Sequence, residues 1–324
     1  MQLKAALTQA IELLEKTHVP SPRLTAEVLL MHSARCDRAH LYAHPERELS
    51  DAEWVQYGRF LKERLQGKPT QYITGHQEFW GMDFLVNPAV LIPRSETELA
   101  VEAALNLARR KFAGSKGYSI ADVGTGSGCI AVALSVELPE ARIYALDRSA
   151  AALDTARRNA ARLGVESRIT FLLSDLLRDC SGEASELDRE QENISPPRGG
   201  DFMNGWPEHG LQGLHMIVSN PPYVSEHDRQ MLAREVRDFE PREALIAGES
   251  GREVYGRLIP QAAQALRAGG YLVLELGYDS QAAVQHLLET EAWDDLRWLP
   301  DLAGIVRVVT ARRVDPNLAQ ETAS

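Results

Sequence analysis

A strand that runs directly into a glycine-rich turn and a helix constrains the fold of this chain more than any other feature. Residues 120–123 (Ile-Ala-Asp-Val) have the composition of a buried strand, and residues 124–128 (Gly-Thr-Gly-Ser-Gly) follow at once. The pattern from there to about residue 137 is helical. From residue 119 onward, strand and helix patterns alternate, which argues for a parallel sheet with helical crossovers. The chain is therefore predicted to contain an α/β domain.

The alternation continues towards the carboxyl terminus. Further strands are predicted at residues 142–146, 169–173, 214–219, 271–276, 296–299 and 305–310. Further helices are predicted at about 150–163, 253–267 and 280–289, with a helix-prone region at 228–236 and a turn at Gly269 and Gly270. A segment near 178–213 is polar, rich in Gly, Pro and Glu, and without periodicity, so we expect a mobile insertion there.

The first part of the chain has a different character. Four helices are predicted there, at residues 2–17, 24–33, 37–42 and about 51–66. Ser50 and Glu53 form a capping box at the start of the fourth helix. These helices carry no cluster of acids, bases or nucleophiles, so we expect a role in packing or in contact with a partner.

A hairpin with its turn near Gly81 is predicted to follow, and then a helix to about residue 111 that opens with a second capping box of Ser95 and Glu98. The predicted organisation is a helical domain at 1–70, a hairpin linker at 71–90, an α/β domain at 91–312 and a flexible tail at 313–324.

Composition excludes several classes of function. Hydrophobic residues make up 44% of the chain and charged residues 25%, but the longest apolar runs are too short to span a membrane. The three cysteines are scattered and the nine histidines form no metal-binding motif, which favours a reducing, cytoplasmic setting and no metal. A net charge of -11 argues against direct binding to nucleic-acid backbones.

The glycine turn favours a nucleotide-like ligand, because glycines allow close approach to the backbone and the next helix offers free N–H groups. The Gly-x-Gly-x-Gly spacing is one residue shorter than in pyrophosphate dinucleotide sites and suits a small amino-acid carboxylate. Asp147, about twenty residues on at the end of a strand, is placed to accept both ribose hydroxyls. Asp175 ends the next strand and is placed to hold an adenine amine. The signals converge on an adenosyl ligand.

The second candidate feature is the tetrapeptide of Asn220, Pro221, Pro222 and Tyr223, which ends an apolar strand. Proline donates no ladder hydrogen bond, so the strand must stop there, and the carboxamide of Asn220 then projects from its carboxyl end. Acceptors beside a flat ring suit a planar NH2 group, such as a carboxamide or a nucleobase amine.

These motifs, in this order, resemble the S-adenosylmethionine-dependent methyltransferases with a seven-stranded Rossmann-like sheet, and more narrowly the HemK/PrmC family. The resemblance covers about residues 1–312 and includes the helical domain, Glu78-Phe79-Trp80-Gly81, Leu91-Ile92-Pro93-Arg94 and Phe239-Glu240-Pro241. The insertion near 178–213 is usually much shorter in that family.

The resemblance implies transfer of a methyl group from S-adenosylmethionine to the N5 amide nitrogen of the glutamine in the Gly-Gly-Gln motif of class-1 peptide chain release factors, with S-adenosylhomocysteine as product. Asn220, Pro221, Pro222 and Tyr223 would hold the glutamine. Residues 1–70 are predicted to dock the protein acceptor, because they carry no reactive cluster yet occupy a quarter of the chain. The implied cofactor site consists of Gly124, Thr125, Gly126, Ser127, Gly128, Asp147, Asp175, Leu176 and Asn220, with Leu176 where some relatives place a tryptophan beside the adenine.

Three other functions remain compatible with the motifs. They are glutamine methylation of a ribosomal protein, methylation of an amino group of nucleic acid (adenine N6), and binding of S-adenosylmethionine without catalysis. The acidic charge argues against a nucleic-acid substrate, and the intact tetrapeptide argues against an idle binding module.

Overall fold

The computed structural model describes residues 1–112, 114, 117–177 and 211–315. The predicted insertion therefore lies outside the described residues except at 211–213, and so does the predicted tail from residue 316 onward. The described chain divides into a helical unit and a sheet unit. The helical unit comprises Met1–His76, Val86–Pro88 and Leu232–Glu240, and the sheet unit contains the rest.

The helical unit begins with five helices, which are α1 (Leu3–Lys16), α2 (Pro22–Ala34), α3 (Arg38–Ala43), α4 (Asp51–Leu65) and α5 (Thr70–Thr74). Four of them match the predicted helices, whereas the short α5 was not predicted. The capping box that opens α4 is confirmed, because Ser50 and Glu53 each accept a backbone N–H of the other. Leucines of α1 and α2 belong to one buried cluster with Tyr57 of α4.

The sheet unit contains a seven-stranded sheet flanked by helices, as predicted. Its strands are β3 (Tyr118–Val123), β4 (Ala141–Asp147), β5 (Ile169–Leu173), β6 (Leu214–Ser219), β9 (Leu266–Glu275), β10 (Trp293–Pro300) and β11 (Val306–Arg313). The strand order is β10-β11-β9-β6-β3-β4-β5, with β11 antiparallel to both of its neighbours and the other pairs parallel.

The remaining strands form two small pairs, the hairpin of β1 (His76–Phe79) and β2 (Met82–Leu85), and the parallel pair of β7 (Val224–Ser225) and β8 (Ile246–Gly248). The later helices are α6 (Thr97–Lys111), α7 (Cys129–Glu137), α8 (Ala150–Arg162), α9 (Arg234–Phe239, in the helical unit), α10 (Arg242–Leu245), α11 (Glu253–Ala265) and α12 (Gln281–Leu288).

Two buried clusters cover the two faces of the seven-stranded sheet. On β3, Ile120 belongs to one cluster, whereas its neighbours Ala121 and Val123 belong to the other. Because successive side chains of a strand point to opposite faces, this alternation shows that both faces are buried. This double burial explains the continuous apolar runs in the sequence from which the strands were predicted.

The structure corrects two of the predictions. The strand predicted from residue 271 already begins at Leu266, so the predicted turn at Gly269 and Gly270 lies inside β9. The pairing with β6 is irregular there, because Leu266 pairs with Leu214 and Tyr271 with Met216. The predicted capping box of Ser95 and Glu98 is wrong, because α6 begins at Thr97 and its first turn has no side-chain cap. Glu98 instead accepts the backbone N–H of Trp80 at 2.7 Å, in the turn of the hairpin.

No helix in the described part of the chain is long and apolar enough to cross a lipid bilayer.

Candidate active site

The candidate site lies at the carboxyl ends of the parallel strands. The connection after β3 leads to β4 on one side, whereas β6, the next described strand after β5, pairs with β3 on the other side. The strand order therefore reverses between β3 and β6, and such a switch point leaves a crevice in which α/β proteins bind ligands. The glycine turn follows β3, and Asn220 follows β6.

The glycine turn, residues 124–128, adopts a conformation that side chains disfavour. Gly124, Gly126 and Gly128 have φ angles of 78°, 55° and 82°, in the left-handed region where glycine alone is unstrained. A Cβ at Gly124 would meet no described atom within 4 Å, so the backbone faces open space there. A Cβ at Gly128 would lie 3.0 Å from Cβ of Ala156, so this glycine permits close packing of α7 on α8.

Asp147, the last residue of β4, is hydrogen-bonded to the glycine turn. Its Oδ2 accepts the backbone N–H of Gly126 at 2.9 Å, and its Oδ1 accepts the backbone N–H of Ser149 at 2.9 Å. Burial raises the pKa of this carboxyl, and the two N–H groups act in the opposite direction. Each oxygen has a second lone pair, so the carboxylate keeps the capacity to accept further hydrogen bonds.

A second aspartate supports the turn from beneath and was not predicted. Oδ2 of Asp122, which is fully buried in β3, accepts the Thr125 hydroxyl at 2.7 Å and the Ala131 backbone N–H at 3.0 Å. Burial raises the pKa of Asp122 to about 7. Asp122 lies two residues before the glycine turn, and this position is a signal in the sequence that could have identified it.

A buried asparagine of α8, also missed, joins the turn to the hairpin. The Asn159 side chain donates to the carbonyl oxygens of Ser127 and Leu85, at 2.9 and 3.0 Å, and accepts the Leu85 backbone N–H at 2.7 Å. All of its hydrogen-bonding groups bind backbone far away in sequence. Nothing in the local pattern distinguishes it from a surface asparagine of an amphipathic helix.

A cavity of about 560 Å³ opens over the turn. This volume falls in the range of small-molecule sites, about 300–1,000 Å³. Most predicted site residues line it, namely Gly124, Thr125, Gly126, Ser127, Asp147, Asp175, Leu176, Asn220 and Pro222. Three predicted residues do not line it, namely Gly128, Pro221 and Tyr223. Residues 241–244 and 246–249, which had no predicted role, form part of the wall.

Asp175 and Leu176 lie where the chain leaves β5. The Asp175 carboxylate pairs with the guanidinium of Arg257 on α11, and both side chains are partly exposed. Leu176 has a φ angle of 60°, unusual for a branched side chain, and its carbonyl accepts the Ser174 hydroxyl at 2.9 Å. Both residues line the cavity, and their contacts with the adenine stay predictions.

Among the described residues, the side chain of Asn220 is hydrogen-bonded through its nitrogen alone. Its Nδ2 donates to the hydroxyl of Thr97, the first residue of α6, at 3.1 Å. Thr97 is buried near Glu275, the last residue of β9, and burial raises the pKa of the Glu275 carboxyl to about 7. Neither Thr97 nor Glu275 was predicted as a site residue. The Asn220 oxygen is then the group available to a ligand.

Tyr223 is packed tightly at the end of the tetrapeptide. A Cβ at Gly277 would lie 2.7 Å from Cδ2 of the Tyr223 ring, so only glycine leaves room for the ring. The hydroxyl of Tyr255 donates to the Glu275 carbonyl at 2.9 Å and so braces the same strand end. Burial raises the pKa of Tyr223 to about 12, so its hydroxyl stays protonated at neutral pH.

The residues present fit an adenosyl amino acid. The turn supplies a backbone surface without side chains, and Asp147 supplies an anionic acceptor with spare lone pairs. The sheet order, the glycine turn after its first strand and the acid after its second together define a methyltransferase with a seven-stranded Rossmann-like sheet.

Comparison with known proteins agrees with this class. Residues 5–75 match the PrmC N-terminal domain family, and residues 114–184 match a methyltransferase domain family. A release factor glutamine methyltransferase of Koribacter versatilis is 44% identical over 313 residues, which are 97% of this chain and 99% of that protein. A release factor glutamine methyltransferase of Moorella thermoacetica is 40% identical over 314 residues, with coverages of 97% and 99%. The chain belongs to the release factor glutamine methyltransferase family.

Two solved structures are also similar. The protein-(glutamine-N5) methyltransferase of Alicyclobacillus acidocaldarius is 25% identical, with a TM-score of 0.38, and the match covers 72% of this chain and all of that one. The catalytic domain of hMettl16, solved with an RNA hairpin, has a TM-score of 0.50 at 14% identity, with 82% of each chain covered. At that identity the second likeness shows the fold alone.

Proposed function

We propose that this protein transfers the methyl group of S-adenosylmethionine to the side-chain amide nitrogen of the glutamine in the Gly-Gly-Gln motif of class-1 peptide chain release factors. One observation carries the proposal. The carboxamide of Asn220 is anchored through its nitrogen to Thr97 and lines the same cavity as the glycine turn and Asp147. A group suited to holding an amide thus adjoins a pocket suited to an adenosyl ligand.

The reaction requires alignment of the amide nitrogen with the methyl group more than activation of the nitrogen by a base. An amide nitrogen is a poor nucleophile because its lone pair is delocalised into the carbonyl group. S-adenosylmethionine supplies a methyl group on a sulfonium, which is already activated for transfer. The protein therefore has to align the amide nitrogen and exclude water, and positioning alone can contribute several kcal/mol, up to about 7–11.

The tetrapeptide would provide that alignment. Oδ1 of Asn220 and the carbonyl oxygen of Pro221 accept the two amide protons of the glutamine, and the Tyr223 ring packs on the flat amide. Two acceptors fix the orientation of the nitrogen and favour the positive charge that develops there. After the nitrogen has gained the methyl group, it loses one proton to water.

The cofactor-binding residues contact different parts of S-adenosylmethionine according to their chemistry. Asp147 accepts the ribose hydroxyls with its spare lone pairs, while residues 124–128 bring bare backbone to the amino-acid part. Asp175 and Leu176 adjoin the adenine. The scattered cysteines suit the reducing cytoplasm, where we place the reaction. The names of the most similar relatives support a protein substrate, not a nucleic acid.

The test is methylation of purified acceptors with isotope-labelled S-adenosylmethionine, followed by mass spectrometry of the modified residue. A release factor should gain one methyl group on the glutamine of its Gly-Gly-Gln motif. The same factor with that glutamine replaced by alanine is the control and should remain unlabelled. Label only on a ribosomal protein or on adenine of nucleic acid would contradict the proposal in favour of one of the alternative acceptors.

The role of Asn220 is tested in the same assay by Asn220→Ala. This substitution removes the acceptor but leaves residues 124–128 and Asp147 intact. The single-turnover rate should fall by roughly a hundredfold or more, as for loss of one preorganised hydrogen-bonding group, while cofactor binding changes little. Transfer at a near-normal rate would mean that the glutamine is held elsewhere.

A further inference from the structure

The short segment of residues 174–177, which follows β5, is held by residues that are far away in the chain. The backbone N–H of Ser174 donates to the carbonyl oxygen of Asp147 at 3.0 Å, so the segment starts beside the residue that we expect to bind the ribose. Asp175 and Leu176 then line the cavity. Because the adenine of an adenosyl ligand is bonded to the ribose, this segment is where we expect the adenine.

Leu176, in the middle of the segment, has an unfavourable backbone conformation. Its φ angle of 60° lies in the left-handed region, where a bulky side chain is an outlier. Such a residue persists only where its surroundings determine its conformation, and residues of this kind cluster at ligand sites. One of the contacts that hold it is the Ser174 hydroxyl, which donates to the Leu176 carbonyl at 2.9 Å.

Helix α11 supplies two further contacts through polar side chains that are one turn apart. Arg257 donates to Oδ2 of Asp175, the residue before Leu176. Oε1 of Gln261 accepts the backbone N–H of Leu177, the residue after Leu176, at 2.9 Å. Residues four apart lie on the same face of a helix. One face of α11 therefore holds the strained residue from both sides.

The ion pair of Arg257 and Asp175 contributes little to stability, because the two side chains are 42% and 39% exposed. It has a clearer effect on position. An aspartate loses side-chain freedom when it binds a ligand, and a partner that has already fixed the side chain removes part of that cost. A carboxylate offers about four lone-pair positions, and Arg257 binds only at Oδ2. Asp175 therefore keeps the capacity to accept a hydrogen bond from an adenine amine.

We propose that Arg257 and Gln261 are positioning residues that fix residues 174–177 so that the Asp175 carboxylate faces the amine of the adenine. Arg257 acts through Asp175, and Gln261 acts through the backbone of Leu177. This inference rests on the proposed use of S-adenosylmethionine. It adds that α11, a helix without a predicted site residue, determines which base the site accepts. Adenine is accepted because its C6 amine donates, whereas hypoxanthine carries a C6 oxygen that only accepts.

Isothermal titration calorimetry with two ligands that differ only in the base tests the inference without an acceptor protein. The ligands are S-adenosylhomocysteine and S-inosylhomocysteine, in which hypoxanthine replaces adenine. The wild type should bind the adenosyl compound at least tenfold more tightly, because the C6 oxygen of the inosyl compound would oppose a carboxylate. Equal affinity of the wild type for the two compounds would overturn the inference.

Arg257→Met keeps an apolar stem but removes the charge that holds Asp175. The affinity for S-adenosylhomocysteine should fall by about threefold to tenfold, and the preference over the inosyl compound should narrow by a similar factor. Arg257→Lys, which restores a cation, should recover part of the preference. Arg162→Met is the matched control, since Arg162 of α8 is 40% exposed, binds Asp83 at 2.9 Å and lies outside the cavity wall. An unchanged preference in Arg257→Met would overturn the inference.

The second contact is tested by Gln261→Met, which removes the acceptor of the Leu177 N–H but keeps a side chain of similar length. The affinity for S-adenosylhomocysteine should fall by about threefold or more. Gln264→Met changes a glutamine of the same helix that lines a different cavity, and it should bind both compounds like the wild type. If Gln261→Met also bound both like the wild type, Gln261 would have no positioning role.

A double-mutant cycle separates positioning from direct contact with the ligand, because Arg257 itself lines the cavity. In the Asp175→Ala background, Arg257→Met should have no further effect on either affinity, since no carboxylate remains to be positioned. Equal weakening in both backgrounds would overturn the inference. If the wild type bound neither compound, the proposed cofactor would fail instead. Binding of the adenosyl compound without methylation of a release factor would contradict only the proposed acceptor, so the failures are distinguishable.

Discussion

The carboxylate of Asp147 is hydrogen-bonded to the backbone of Gly126, 21 residues earlier in the chain, at 2.9 Å. The last residue of one strand thus fixes the turn that follows the neighbouring strand. The same side chain is the one we expect to bind the ribose. Loop conformation and ligand affinity therefore depend on a single carboxylate.

Asp147→Ala should weaken binding of S-adenosylmethionine by at least tenfold, because each charge-assisted hydrogen bond contributes roughly 1.5–3 kcal/mol. Isothermal titration calorimetry measures the change. Asp154→Ala, at an exposed aspartate of α8, is the control and should bind like the wild type. Equal affinity for Asp147→Ala and the control would remove Asp147 from the cofactor site.

The seven strands and the residues at their carboxyl ends could be predicted because their signals are local. Residues 214–219 form an apolar run stopped by two prolines, and residues 169–173 were predicted with the bounds that the structure shows. An acid or an amide directly after such a run can be predicted without knowledge of its distant contacts. The glycine turn is local in the same sense.

The groups that hold those residues could not be predicted, since their partners are distant in sequence. Asn220 and its partner Thr97 are 123 residues apart, and Asn159 binds Leu85 across 74 residues. The prediction of a capping box at Ser95 and Glu98 failed for the same reason. Glu98 satisfies the local pattern, but the hairpin offers it an N–H of Trp80, and that tertiary contact takes precedence.

Gly277→Ala should impair methyl transfer without loss of cofactor binding. The added Cβ would lie 2.7 Å from the Tyr223 ring and 2.9 Å from Oγ of Ser280, so the ring has to move. We expect a fall in single-turnover rate of about tenfold or more, because misplacement by about 1 Å can cost a hundredfold. Gly256→Ala, in α11 with no described atom within 4 Å of the new Cβ, should keep full activity.

The ion pair of Arg64 and Glu235, within the helical unit, should respond asymmetrically to substitution. The Arg64 side chain is 6% exposed and that of Glu235 31% exposed. Glu235→Ala leaves a buried cation without its partner, whereas Arg64→Met leaves a carboxylate that water can reach. Glu235→Ala should therefore lower the free energy of unfolding by more than Arg64→Met does, with a cost of about 3 kcal/mol.

Urea unfolding followed by circular dichroism measures both variants. Arg59→Met breaks a pair whose cation is 70% exposed and should change the midpoint little, since surface pairs contribute about 0–1 kcal/mol. A larger loss for Arg64→Met than for Glu235→Ala would show that packing of the arginine stem outweighs its charge.

The buried carboxyl of Asp122 should make stability depend on pH in a direction opposite to that of a salt-bridged acid. Burial raises its pKa from 3.8 to about 7 in the folded protein. Between these values the folded state holds a proton that the unfolded state has released. The free energy of unfolding therefore falls as pH rises through this window, and the contribution is lost once the pH passes about 7.

Asp122→Asn isolates this contribution, because the carboxamide oxygen still accepts the hydrogen bonds of Thr125 and Ala131 but does not ionise. Other shifted groups remain in both proteins and cancel in the comparison. They include Glu275, whose raised pKa acts in the same direction, and His32 and His215, whose lowered pKa values act in the opposite direction.

The difference in unfolding free energy between Asp122→Asn and the wild type should therefore shift in favour of the variant by about 2–3 kcal/mol between about pH 5 and about pH 8. Urea titrations at several pH values measure it, and most of the shift should occur below about pH 7. A difference that stays constant across the range would mean that Asp122 is already ionised at about pH 5. The hydrogen bonds from Thr125 and Ala131 would then outweigh the cost of burying the charge.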